Sequence, residues 1–374
     1  MRRLTMGVSN QNQKTTTMKT SNLLEASAQW ASRPADQRFE SLAELRASVH
    51  DRRLRARSID IDVRNVRAEV RDGEIVLNSA ITPSTPTHWS FGQFSSMLGA
   101  PASYLRNLSP ELAVSCLNEG IEKTGRETMK FMTLAGGDNA NTLQAVTSPT
   151  YGRIWDADCV DAVQRIVERT NGQFYNPLAY SHKAGEPRPS GLYASDRDVF
   201  MFMIDGGSRL ELGPRAKLNR GFFVWNSETG SKTFGLMTFL FNEVCGNHIV
   251  WGAQNINKLV IRHSKNGPIR FDAEAAPMLK AYAEASINED SAVISKAMEH
   301  RLPKGFEFEN MIGHFRFTKA EVRAAIESAN REEGKCDTLW DLVQGFTAYA
   351  RGFDFVDARI DLEKRAGELL RIVE

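Results

Sequence analysis

The stretch from Gly221 to Trp251 limits what this chain can fold into more than any other. It reads Gly-Phe-Phe-Val-Trp-Asn-Ser-Glu-Thr-Gly-Ser-Lys-Thr-Phe-Gly-Leu-Met-Thr-Phe-Leu-Phe-Asn-Glu-Val-Cys-Gly-Asn-His-Ile-Val-Trp. Two aromatic, β-prone runs, Phe222 to Trp225 and Phe234 to Phe241, flank the polar segment Asn226 to Lys232. Asn, Ser and Gly suit a turn because they tolerate left-handed backbone or bond to their own main chain. The pattern predicts a β-hairpin. A third run, His248 to Trp251, follows the turn Cys245-Gly246-Asn247. Stiff strands thus hold polar groups and a lysine between them, an arrangement suited to binding that names no ligand.

Other segments supply the sheet that such a hairpin needs. Ile59 to Val70 alternates apolar and polar residues with a one-residue slip at Asn65, which predicts a bulge. Glu74 to Leu77 is expected to pair with it across the turn Arg71-Asp72-Gly73. Thr128 to Leu134 and Thr142 to Val146 are further strands. Val199 to Ile204 is apolar without a break, as in a strand buried on both faces. Period two puts Lys258, Val260 and Arg262 on one face and Leu259, Ile261 and His263 on the other.

Helices are predicted over Leu42 to Ser48, Ser90 to Leu98 with Gly99 as its stop, Glu111 to Ile121 after the cap Ser109-Pro110, and Asp156 to Arg169. Asp156 and Asp158 fit the positive end of that last helix as capping charges, or a metal as paired carboxylates. From Glu274 onward the patterns are helical, including Thr318 to Ser328, Leu339 to Gly352 and Arg359 to Leu370. The expected class is α+β, with a central, mostly antiparallel sheet, flanking helices and a helical C-terminal part. Residues 1–21 are polar enough to read as a disordered tail, 22–330 as the core domain and 331–374 as a C-terminal helical segment packed on it.

Composition narrows the functional classes. Net charge is +1 over 374 residues, so no global basic field marks a nucleic-acid protein, and such a surface must be local. The four cysteines, Cys116, Cys159, Cys245 and Cys336, form no Cys-x-x-Cys pair, which suits a reducing compartment. No apolar run approaches the roughly 20 residues of a membrane span, and no apolar core follows Arg2 and Arg3 as a signal peptide requires. A cytoplasmic protein without a membrane partner is expected.

Phosphate loops, dinucleotide fingerprints, nucleophile elbows and zincin motifs do not occur. Cys245 and His248 share metal-ligand spacing, but a closed zinc site takes four ligands, and adding Cys159 and His263 is unsupported. Cys245 reads instead as a buried structural thiol. Neither a cofactor nor a metal is expected, and no catalytic residue stands out. The short helices around Ser90–Leu105 have a helix-turn-helix outline, though the second is too short to fill a major groove. The run Arg52-Arg53-Leu54-Arg55-Ala56-Arg57 offers either phosphate contacts or a solvated turn.

What remains is a basic and aromatic surface. Arg215, Lys217 and Arg220 precede the hairpin, Lys232 lies in its turn, and Lys258, Arg262 and Lys265 follow, with Trp225 interleaved. Cations that track phosphates beside rings that stack bases are what single-strand binding needs. The alternative is that the rings are core and the cations solubilise sheet edges.

Several of these segments also carry a resemblance. Asn226-Ser227-Glu228-x-Gly230-Ser231 followed by an apolar run and Cys245-Gly246-Asn247 is one. His88-Trp89 with Pro101-Ala102-Ser103-Tyr104-Leu105, Ser148-Pro149-Thr150-Tyr151-Gly152-Arg153, and Thr338-Leu339-Trp340-Asp341-Leu342 with Thr347-Ala348-Tyr349 are the others. In this order, over most of the chain after about Ser21, they resemble the phage/plasmid-like protein family catalogued as domain of unknown function 932. His248 departs from the small residue the pattern leads one to expect. The family has no settled function, so the resemblance implies a phage or plasmid origin and no chemistry. The expectation is therefore a phage- or plasmid-derived DNA-binding protein, single-strand binding or annealing, in recombination or replication. A non-catalytic interaction module acting on a host system and an uncharacterised metal-dependent enzyme are the alternatives. A homo-oligomer fits all three.

Overall fold

The computed structural model describes residues 37–79, 83–136, 141–176, 191–212, 217–242, 247–249, 258–284, 288–350, 362–363 and 365–373. The N-terminal tail, Arg215 and Cys245 lie outside them. In chain order the strands are β1 (Arg38–Phe39), β2 (Ala56–Asp62), β3 (Arg67–Arg71), β4 (Glu74–Asn78), β5 (Ser84–Pro86), β6 (Thr128–Ala135) and β7 (Asn141–Thr147). Then follow β8 (Phe174–Tyr175), β9 (Leu192–Ala194), β10 (Val199–Glu211), β11 (Lys217–Asn226), β12 (Phe234–Asn242), β13 (Asn247–Ile249) and β14 (Lys258–Ile261). The helices are α1 (Leu42–Arg55), α2 (His88–Met97), α3 (Ala102–Leu105), α4 (Pro110–Lys123), α5 (Asp156–Arg169), α6 (Gly267–Arg270), α7 (Ala276–Glu284), α8 (Asn288–Glu299), α9 (Phe306–His314), α10 (Lys319–Glu333) and α11 (Leu339–Ala350).

The strands form two sheets in an α+β arrangement. One has the order β1-β9-β10-β11-β12-β13, with β8 on β10 and β14 on β12. Its pairings are antiparallel throughout. The other runs β2-β6-β7-β5-β4-β3 and is antiparallel except where β5 meets β7. The hairpin read from the sequence is the β11–β12 pair, with Trp225 opposite Gly235 and Leu218 opposite Asn242. Beyond β12, β13 takes the Leu240–Asn242 end and β14 the Phe234–Met237 end. Val199 to Ile204 of β10 are buried on both faces.

Local chemistry explains where elements start and stop. Asp72 and Gly73 carry positive φ of 50° and 81°, the geometry of a tight hairpin turn between β3 and β4. The slip at Asn65 is a 3-10 turn, Val63–Asn65, in which the Asp62 carboxylate accepts from Arg64 N. That turn redirects the chain, so β2 pairs with β6 and only β3 forms the expected hairpin. Ser41 caps α1, which continues through the arginine run to Arg55. Arg52, Arg53 and Arg55 thus lie in the last turn of a helix, where its dipole favours cations, and not in a solvated turn.

Burial of apolar side chains, each worth about 1.5–3 kcal/mol when complete, organises three large clusters among the described residues. Phe91 and Phe94 of α2 and Leu117 and Ile121 of α4 cover Phe131, Leu143 and Val146 of the six-stranded sheet. Leu45, Val160, Val163 and Ile166 of α1 and α5 cover Met201, Phe222 and Leu236 of the larger sheet. The C-terminal helices share one cluster from Ile294 through Phe317 and Phe346 to Leu370, which also takes in Leu218 and Leu240. The boundary expected at residue 331 falls inside α10, whose box of Thr318 and Glu321 begins it and whose Gly334 at φ 79° ends it. Among the described residues no helix is long and apolar enough to cross a membrane.

Two glycines test this packing. A Cβ on Gly345 of α11 would meet the Ala325 carbonyl and, at 2.9 Å, the Ala329 methyl. Gly345→Ala is expected to cost about 1–3 kcal/mol. Gly313 of α9 has open space around it. Gly313→Ala is expected to leave stability unchanged or raise it by up to about 1 kcal/mol, both read by urea denaturation.

Candidate nucleic-acid interface

The polar turn of the hairpin does not protrude; Asn226, Ser227, Glu228 and Thr229 are all at most 2 % exposed. A buried carboxylate demands partners, and that of Glu228 finds them on α1 and at the start of α5, while Arg153 bonds to its main chain. Its Oε1 lies 2.9 Å from Arg52 Nε on α1. Oε2 accepts the Asp156 amide at 3.2 Å. Arg153 Nη1 donates to the Glu228 carbonyl. Trp155, at the N-cap of α5, makes no side-chain capping bond, so the hairpin carboxylate serves the positive helix end that Asp156 was expected to serve.

Asp156 turns inward instead, accepting from Asn226 Nδ2 at 2.8 Å. Burial, with the Glu228 carboxylate beside it, pushes its pKa well above the usual carboxylate range against the pull of Arg52.

The same network fixes the loop between β9 and β10. Arg52 donates from Nη1 to the Ser195 carbonyl at 2.6 Å and from Nη2 to the Asp196 carbonyl at 2.8 Å. From the hairpin, the Ser227, Thr229 and Ser231 hydroxyls donate to the Arg197 carbonyl at 2.5, 3.1 and 3.3 Å. The backbone of Arg197 is thereby held while its side chain stays exposed.

Tyr151, Arg153 and Trp155 alternate on one side of an extended segment. The Arg153 guanidinium lies 5.2 Å from the Tyr151 ring centre and 5.5 Å from that of Trp155, and Arg53 lies 3.9 Å from Trp155. His263 stacks on Tyr151 at 5.0 Å. Its Nδ1 accepts the Ile154 amide at 3.2 Å, which requires that nitrogen to be unprotonated. Burial first, then the Arg153 charge, lowers the His263 pKa to about 4.

A cleft of about 740 Å³ opens against the outer side of this turn. One helical stripe of α2, His88, Trp89, Gly92, Gln93, Ser96 and Met97, forms a wall. Thr87 caps this helix, and Gly99 at φ 77° follows it. Thr147, Tyr151 and Gly230 line the other side, and Arg106 and Arg197 bring guanidinium groups. Trp89 Nε1 and Gln93 Nε2 both donate to the Thr229 carbonyl, at 3.1 and 2.9 Å, and tie α2 to the hairpin. The Tyr151 hydroxyl donates to the Ser227 carbonyl at 3.2 Å. Arg106 Nη2 donates to the His88 carbonyl at 2.6 Å, and Arg197 lies 5.7 Å from the Trp89 ring centre. No carboxylate is among the described lining residues.

The cations read from the sequence do not form one surface. Lys217 and Trp225 are eight residues apart on β11, about 27 Å along a strand. Arg220 is 3 % exposed, donates to the Tyr282 carbonyl at 2.8 Å and sits 4.2 Å from the Tyr282 ring centre. It faces the core, where a charge must be paired, and not a strand of DNA. The Trp225 indole covers Gly235 and stacks on Phe223 at 5.0 Å, so one ring face is used within the sheet. Lys232 is half-buried, 3.9 Å from Asp198. Lys258 lies opposite Met237 on β14. Arg262 and Lys265 are exposed beside Gly152, where Ser264 O occupies the place of a Cβ. None of Lys232, Arg262 and Lys265 is among the described residues that line the cleft.

Arg106, Arg197, Trp89 and Thr147 were not among the binding residues expected from the sequence; the motifs with His88-Trp89, Ser148 to Arg153 and Asn226 to Ser231 touch the cleft through His88, Trp89, Ser148, Tyr151 and Gly230. His248 lies opposite Phe241 on β13. Cys159 is buried in α5, where burial raises its pKa and keeps the thiol protonated. The described residues hold no cluster of three or more metal-ligating groups.

Glu228→Ala removes the buried carboxylate paired with Arg52 and its charge beside Arg153, and is expected to cost about 3–5 kcal/mol by denaturant titration. His263 gives a pH signature. The unfolded imidazole takes a proton near its ordinary value of 6.5, whereas the native one stays neutral down to about 4. Stability is thus lost as pH falls between those values, by roughly 3 kcal/mol from this residue. Asp156 contributes the opposite slope, so the check is the difference between wild type and His263→Gln, which should lack that loss. No protein-family model, no curated protein and no solved structure matches this chain.

Proposed function

We propose that the protein binds DNA, single strands in preference to duplex, along the cleft between α2 and the hairpin turn. One observation carries this reading: two guanidinium groups and an indole border an open cleft without a carboxylate. Guanidiniums meet phosphates through paired donors, and an indole offers a face to a base that a duplex keeps stacked. The fixed backbone of Arg197 supports it further, because a positioned cation loses less freedom on binding. A role in recombination or replication, and a phage or plasmid origin, rest on the resemblance of the motifs alone.

The test is a titration of labelled single- and double-stranded DNA at two salt concentrations. Single strands should bind more tightly, with affinity falling as salt rises. Arg106→Ala and Arg197→Ala should each flatten the logarithmic salt dependence by about 0.7. Trp89→Phe should weaken binding without changing that slope. Absence of DNA affinity even at low salt would transfer the reading to a protein-interaction module.

A further inference from the structure

The cleft carries one group that the fold leaves unused. Thr147, the last residue of β7, is 5 % exposed and borders the cleft, and its Oγ1 has no hydrogen-bond partner in the protein. A buried hydroxyl without a partner is destabilising. The half-buried polar groups beside it are committed. Gln93 accepts the Val146 amide at 2.9 Å on Oε1 and donates to Thr229 from Nε2. Trp89 Nε1 and the Tyr151 hydroxyl bond to the hairpin carbonyls. These side chains are locked as walls, and the Thr147 hydroxyl is left for something that enters.

We propose that the cleft seats a single unstacked nucleotide, with its phosphate between Arg106 and Arg197, its base against Trp89 and Met97, and a base-edge group bonded to Thr147 Oγ1. This rests on the reading of the cleft as a nucleic-acid site and specifies its unit of recognition. The size fits: about 740 Å³ lies within the range of small-ligand pockets and takes in a nucleotide. Thr147 borders the cleft, and rotation about its one side-chain bond re-aims Oγ1 without backbone movement, so the hydroxyl can be offered to a ligand there. A hydroxyl both donates and accepts, so the site tolerates any base. Gly92 leaves the space in front of Arg106 open; a Cβ there would stand 3.2 Å from Arg106 Nη2.

Isothermal titration with thymidine 5′-monophosphate, thymidine and inorganic phosphate tests this on the full chain. The monophosphate should bind saturably in the millimolar range or tighter, roughly tenfold better than either part alone. Thr147→Val should weaken it about fivefold, and Thr147→Ser should not. Because Oγ1 has no partner in the protein, Thr147→Val should not lower the melting temperature, which separates a ligand contact from a structural one. Gly92→Leu keeps every charge and should block the nucleotide. Equal affinity for phosphate and nucleotide, or unchanged binding by Thr147→Val, overturns the proposal. Binding of an oligonucleotide that depends on Arg106 and Arg197, without mononucleotide binding, also overturns it while leaving the DNA-binding reading intact. Loss of both removes both.

Discussion

The enclosure of one carboxylate, that of Glu228, joins parts of the molecule that apolar packing alone leaves separate. The six-stranded sheet has its own cluster under α2 and α4, and the larger sheet has another under α1 and α5. Glu228 and its turn meet Arg52 from α1, Arg153 before α5, the amide that starts α5, and the side chains of α2 that donate to the adjoining Thr229 carbonyl. A buried ion group of this kind is weak as net stabilisation, since desolvation offsets much of the attraction. It is strong as a geometric constraint, because each donor must sit where its acceptor is. The relative placement of hairpin, helix and loop therefore follows from charge satisfaction more than from burial.

That constraint shapes the cleft. The hydroxyls of Ser227, Thr229 and Ser231 converge on one carbonyl, and Arg52 holds the two residues before it. The polar turn thus acts chiefly through its inner side, as a support for Arg197 and a wall for Trp89. A site whose walls bond to backbone carbonyls keeps its shape when empty, and binding to it forfeits little side-chain freedom.

The architecture was readable in the sequence where periodicity or a cap carries it. The hairpin, the doubly buried strand at Val199–Ile204, the alternation at Leu259–His263 and the helix begun by Thr318 all follow from local pattern. The site was less readable, for a physical reason. Phosphate contacts were sought among the cations nearest the hairpin in sequence, but a sheet separates the ends of its strands, and strand alternation turned Arg220 inward. The cleft instead draws on α2, the loop after α3, the end of β7 and the β9–β10 loop. Arg52 looked like one cation in a surface run, and only its buried acceptor reveals its place. Thr147 has no sequence signal at all; a hydroxyl without a partner is a property of three-dimensional packing.

The reach of these bonds along the chain bears on how the molecule assembles. Arg52 and Asp196 are separated by 144 residues, Trp89 and Thr229 by 140. Closing such distances carries an entropy cost that is met before the contacts return anything, so topologies rich in them form slowly. The β3–β4 and β11–β12 hairpins close over short spans and can form early. The ion group and cleft must wait until the turn after Asn226 exists. On a ribosome the chain before Asn226 would emerge with Arg52 and Arg153 still solvated, and the cleft would wait for the hairpin turn, though the C-terminal helical cluster would follow it.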